Sequence, residues 1–105
     1  MPFCKLEIFI PQTHFKELQN TLQQAGAGRI GNYDSCLSYH KVIGAFRPLE
    51  NAQPYIGKKY EISEEAEVKV EVRVNLENLK QTIEAIKSVH PYEEPVINII
   101  PLLNN

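Results

Sequence analysis

Apolar and polar side chains alternate over the first ten positions: Cys4, Leu6, Ile8 and Ile10 fall on one side of an extended segment, with Lys5, Glu7 and Phe9 on the other. This pattern predicts a first strand, stopped at Pro11. From Thr13 the period changes to that of a helix, with Phe15, Leu18, Leu22 and Ala25 on its inward side. Gly26 then supplies a residue that readily takes the left-handed conformation in which helices end. Between Gly28 and Tyr60 the chain is punctuated by Gly31, Gly44, Pro48, Pro54 and Gly57, so short strands joined by loops are predicted over Ser35–His40 and Ile43–Phe46. The clearest period-two signal follows, Val68, Val70, Val72 and Val74 alternating with Lys69, Glu71 and Arg73. A single register buries all four valines and turns all three charges the other way. Asn75 is placed to cap a second helix through its side-chain oxygen, and Leu79, Ile83 and Ile86 form that helix's inward stripe. His90-Pro91 ends it, because a residue before proline avoids the helical region, and Val96–Ile100 is a last β-branched run before Pro101.

Strand, helix, a hairpin-like pair, helix, strand is the order of an α+β, ferredoxin-like βαββαβ sandwich, here with an extended irregular middle segment. Its two helices are expected to cover one face of a four-stranded sheet. A length of 105 residues fits a single domain spanning 1–105, able to bury a core without disulfides or metal. Lys and Arg total 11 against 13 Asp and Glu, so no positive field is present to hold nucleic acid or an anionic membrane. Two cysteines, Cys4 and Cys36, are too few for a disulfide scaffold, and no basic segment followed by a long apolar run opens the chain. Reduced thiols and a cytoplasmic location are expected. No apolar stretch reaches the roughly 20 residues of a spanning helix, so no membrane role is expected.

Three stretches carry candidate chemistry. Gly26-Ala27-Gly28-Arg29-Ile30-Gly31 has the spacing of a dinucleotide-binding loop, but a helix precedes it and none follows, so no helix N-terminus meets a pyrophosphate. Its successive amides could instead cradle an anion beside Arg29; the plainer reading is a helix cap followed by a tight turn. Asp34, Cys36, Ser38 and His40 would share one face of an extended stretch, which would suit a metal ion, although a lone strand cysteine is more often a small buried apolar residue. His90-Pro91-Tyr92-Glu93-Glu94-Pro95 is the most distinctive stretch, two prolines bracketing an imidazole, a phenol and two carboxylates; its plainer reading is a rigid turn with solvated glutamates. No Ser-His-Asp or Cys-His arrangement is placed locally, so no catalytic residue is assigned.

Taken in order, Gly26-Ala-Gly-Arg-Ile-Gly-Asn-Tyr33, Phe46-Arg-Pro48, Pro54-Tyr-Ile-Gly57 and His90-Pro-Tyr-Glu-Glu-Pro95 resemble the CutA-like or PII-like module inserted in the Nif-three-like family of dinuclear-metal proteins, often named GTP cyclohydrolase type-one homologues. The similarity runs from about Lys5 to Leu102. In the long members the metal-holding halves flank this module, and this chain contains neither. It is thus similar to the short, stand-alone YqfO-like proteins. The resemblance implies a non-enzymatic, oligomeric small-ligand-binding or regulatory module, commonly trimeric, with clefts between subunits. The inserted modules often read Gly-Ala-Gly-His where this chain has Arg29, which exchanges a candidate metal ligand for a fixed cation suited to carboxylate or phosphate. On this reading a small anionic ligand is held by Gly28, Arg29, Asn32 and Tyr33 together with His90, Tyr92, Glu93 and Glu94. The alternatives are a divalent metal held by Cys36, His40 and His90, joined by Glu93 or Glu94, and a partner domain acting in trans on a dinuclear-metal protein.

Overall fold

The chain forms a four-stranded antiparallel sheet in the order β2-β3-β1-β4, built from β1 (Phe3–Pro11), β2 (Ser38–Phe46), β3 (Ser63–Asn75) and β4 (Ile97–Pro101). A computed structural model describes residues 2–104. Helices α1 (Phe15–Gln24) and α2 (Leu79–Val89), each entered through a short 3-10 turn, pack on one face. This is the expected βαββαβ arrangement. The strand periodicities meet in register: Leu6 lies opposite Val72, Ile8 opposite Val70 and Ile10 opposite Val68. These residues close a core with Leu18, Leu22 and Ile86, all fully or almost fully buried. Each such aliphatic side chain contributes about 1.5–3 kcal/mol relative to exposure.

On the open face Lys5 donates to Glu71 at 2.7 Å, and both Lys5 and Lys69 lie 3.7 Å from Glu7. Lys69, Glu71 and Arg73 therefore face away from the helices as the alternation requires. The pairs are partly solvated and keep this face polar more than they stabilise it.

The structure departs from the sequence expectations at three places. The predicted strands Ser35–His40 and Ile43–Phe46 are one continuous strand, because the ladder to β3 runs unbroken through Gly44. The irregular chain lies on either side of this strand, over residues 25–37 and 47–62. Asn75 makes no side-chain cap; Leu76 N–H bonds the Pro2 carbonyl instead, at 2.9 Å, and a 3-10 turn leads into α2. The inward stripe of α2 also includes Thr82, whose hydroxyl donates to the Asn78 carbonyl at 2.7 Å. Gly26, at φ +90°, ends α1 as expected. Cys4 is buried in the core, where burial pushes its thiol pKa up, and neither cysteine is paired. Among the described residues no helix is long and apolar enough to cross a membrane.

β3 outruns β1. Pro11 is opposite Glu67, so Ser63–Ala66 pair with β2 alone and the hairpin projects by about 13 Å, four residues at strand rise. The molecule is correspondingly long, 46 Å by 22 Å by 21 Å.

Candidate functional site

The projecting hairpin does not stand free. Its connecting loop folds back, and the Gln53 N–H donates to Glu93 Oε2 at 3.0 Å, tying the loop to the segment after α2. Between them lies a cleft of about 570 Å³. Its walls are Gly44–Phe46, the loop from Arg47 to Tyr55, the Tyr92–Glu94 turn, Phe9 and Val96. The lining is predominantly apolar, and its size falls in the range of small-molecule sites.

Glu67 lies at the back of this cleft. Alternation along β3 puts it on the open face with Lys69, yet it is only 5% exposed. Tyr92 donates its phenol proton to Glu67 Oε2 at 2.8 Å. Burial and the Glu67 carboxylate hold the Tyr92 phenol well above its ordinary pKa, so it stays protonated. Glu67 Oε1 lies over Gly44, where any Cβ would overlap it. A glycine inside a strand often marks such a close approach.

Tyr92 is also the centre of an aromatic cluster, with ring centroids 5.1 Å from His90, 5.9 Å from Phe46 and 6.1 Å from Tyr55. His90 fixes its position from below. The imidazole is 8% exposed; Nε2 faces the Phe9 carbonyl oxygen at 2.6 Å and Nδ1 faces the Tyr92 N–H at 3.2 Å. A carbonyl only accepts and an amide only donates, so the proton is on Nε2 and the ring is neutral. Burial lowers its pKa below the ordinary histidine value, partly offset by the Phe9 hydrogen bond.

The Gly28–Tyr33 loop is elsewhere. Gly28 N–H bonds the Arg73 carbonyl at 2.9 Å, continuing the sheet edge where β2 has not yet begun. Arg73 is opposite Lys5 and His90 is held at Phe9, so the two anchors are about 13 Å apart along β1. Within the chain the two loops do not converge, because α1 and α2 deliver them to opposite ends of the sheet. Ile30 and Tyr33 exchange both backbone hydrogen bonds at 2.9 Å around Gly31-Asn32, and Gly28's carbonyl accepts from Cys36. Three amides of the expected anion cradle are therefore spent on the chain itself. Arg29 is exposed and, among the described residues, donates only to the Gly31 carbonyl; Asn32 and Tyr33 are exposed, Tyr33 to 75%.

Cys36, His40 and His90 are not brought together either. Ser35 at φ +59° breaks the extension on which the shared face of Asp34, Cys36 and His40 depended. Cys36 lies before β2, His40 is opposite Lys69 on the open face, and both ring nitrogens of His90 are engaged. Among the described residues no group of three or more metal-ligating side chains is gathered. Of the residues singled out from sequence, Tyr92, Glu93 and Glu94 line the cleft. Glu67, Gly44, Phe9 and Tyr55 were not foreseen. The stretches Phe46-Arg-Pro48 and Pro54-Tyr-Ile-Gly57, noted only as motifs, were the available signal, since they form the wall opposite Tyr92.

A protein of Halalkalibacterium halodurans named GTP cyclohydrolase 1 type 2 homolog is 39% identical over 100 residues, covering 95% of this chain and 27% of the relative. The crystal structure of a Bacillus cereus protein related to NIF3 superposes with a TM-score of 0.86 at 32% identity, covering 98% of this chain and 26% of that one. A PII-like protein CutA from Nostoc sp. PCC 7120 superposes at 0.71 and 20% identity, covering 96% and 82%. The last likeness is one of fold alone. No family model matches the chain. The chain spans about a quarter of the length of the curated relatives it matches. It is thus related to one segment of NIF3-like proteins and carries the CutA/PII-like form of the ferredoxin-like fold.

Proposed function

We propose that this chain is a non-enzymatic small-ligand-binding module and that its ligand sits in the cleft between the β2–β3 hairpin loop and the Tyr92–Glu94 turn. The observation that carries this reading is the Glu67–Tyr92 pair, a carboxylate withdrawn from water at the back of an apolar cleft. A buried carboxylate with one engaged oxygen has a desolvation cost that a ligand offsets by supplying a partner. Nothing in the cleft is arranged as nucleophile and base: Tyr92 is held protonated and His90 is turned to the backbone. The curated relatives are named GTP cyclohydrolase 1 type 2 homolog, and on this reading the segment shared with them serves binding.

Self-association accompanies this reading. The outer edges of β2 and β4 carry unpaired backbone groups, and exposed strand edges are places where chains pair. Light scattering should return a multiple of 12.0 kDa; three copies is the number the CutA-like resemblance favours.

The reading is tested by a screen of small uncharged and charged aromatic fragments followed by amide NMR. Shifts should cluster on Gly44–Phe46 and Tyr92–Val96 and be unchanged by a chelator. Shifts centred on Arg29–Tyr33, or none at the cleft with any fragment, would overturn it.

A further inference from the structure

This inference rests on the cleft reading and concerns the chemistry of what the cleft takes. The sequence alone pointed to an anion, on the strength of Arg29, and the lining of the cleft points the other way. It carries three carboxylates, Glu67, Glu93 and Glu94, against the single guanidinium of Arg47. Arg47 is exposed and held beside the Tyr60 ring, its Cζ 5.7 Å from the centroid. At the back of the cleft the polar groups are acceptors. Tyr92 already spends its O–H in a hydrogen bond to Glu67 Oε2, and Glu67 Oε1, packed against Gly44, has no such donor. An anion placed there would meet a carboxylate with no donor to answer it, in surroundings where Coulomb repulsion is poorly screened. The remaining walls are apolar or aromatic, including Phe9, Phe46, Pro48 and Val96. They favour a flat ring, and aromatic faces beside a carboxylate favour a positive charge on it.

We infer that the cleft takes a planar nitrogen compound of the amidine or amino-heterocycle class, its N–H edge donating to Glu67 Oε1 and its ring lying among Phe9, Phe46 and Tyr92. Glu67 selects for the donor edge, and Gly44 leaves the room that its carboxylate occupies.

Three probes of nearly the same shape separate the possibilities: benzamidine, a cation with an N–H edge; benzamide, a neutral N–H donor; and benzoate, an anion. Titrated into the full chain and followed by the amide signals of Gly44, Phe46 and Tyr92, benzamidine should bind at least about tenfold more tightly than benzoate, with benzamide between. Glu67→Gln keeps the shape and removes the charge, and should bring the three probes within about threefold of one another. Tyr92→Phe leaves the carboxylate and should preserve the order. Equal or tighter binding of benzoate, or an unchanged order in folded Glu67→Gln, overturns the inference while leaving a ligand cleft in place. If Glu67→Gln does not fold, the order on the unaltered chain together with Tyr92→Phe decides the matter. Failure of all three probes to shift the cleft amides removes the cleft reading itself, and this inference with it.

Discussion

Two loops drew notice in the sequence for the same reasons, glycine or proline rigidity combined with polar side chains, and the fold treats them in opposite ways. At the Gly26–Tyr33 end the backbone amides pair with the Arg73 carbonyl and across a two-residue turn, the Gly28 carbonyl accepts from Cys36 N–H, and Arg29 projects into water. At the His90–Pro95 end the backbone and imidazole also pair internally, but they hold a phenol over a carboxylate that is nine-tenths withdrawn from solvent. The first loop has satisfied itself. The second, with the hairpin loop opposite, encloses space and leaves an acceptor facing it. A rigid polar loop is therefore a candidate site only where folding leaves polar capacity beside an unfilled volume.

This contrast can be broken in several ways. The largest effect is expected from Val70→Asp, which puts an unpaired charge into the core on which both ends are built; a loss of more than about 4 kcal/mol is expected, and circular dichroism should show no folded chain. Survival of the fold would mean that the two ends are stabilised separately. Gly28→Val should cost about 3 kcal/mol in urea unfolding, since φ is +76° and the Cβ would come within 2.6 Å of the Cys36 carbonyl oxygen. Probe binding at the cleft should be unaffected at temperatures where this variant is folded. A Gly28 variant that folded normally but lost probe binding would show the two ends to be coupled.

The pH dependence of the cleft end is smaller and has a definite sign. Burial depresses the folded pKa of His90 below the ordinary value of 6.5, against the raising effects of the Phe9 carbonyl and Glu67 and with a further lowering by His14. The unfolded chain thus takes up this proton first as the pH falls. The contribution is fully present above about pH 6.5 and is lost below it, with a slope of at most about 1.4 kcal/mol per pH unit. Urea midpoints of the native chain and His90→Asn between pH 7.5 and 5.5 should converge as the pH falls; a constant difference would mean that His90 is not held neutral. Arg29→Ala should do least, changing stability by less than about 0.5 kcal/mol and leaving benzamidine binding as it was. Weakened binding in that variant would bring the two loops back into one site, made across copies of the chain.

Much of the architecture was legible in the sequence because it depends on local periodicity. The alternation at Val68–Val74 and at Cys4–Ile10, and the stripes Phe15, Leu18, Leu22 and Leu79, Ile83, Ile86, set which faces are buried whatever the loops do. The middle was misjudged where a local signal met a non-local one: Gly44 suggested a break, but pairing with β3 carried the strand through it. The missed cap at Asn75 has the same character, since the Leu76 amide found the Pro2 carbonyl, a partner at the far end of the chain.

The candidate site was legible only in part. The sequence by itself determined that His90–Pro95 would be a rigid polar turn after a helix, because Pro91 and Pro95 constrain the backbone whatever surrounds them. Only the tertiary structure decided what that turn faces. Glu67 reads in sequence as one more charge on an open strand face, and it becomes buried only because β3 outruns β1 and the loop beyond folds back over it. Strand overhang and loop return depend on contacts between residues 17 to 56 positions apart, from Phe46–Ser63 to Pro11–Glu67. Such contacts leave no periodic trace in the chain, and they are what turns an ordinary glutamate into the floor of a cleft.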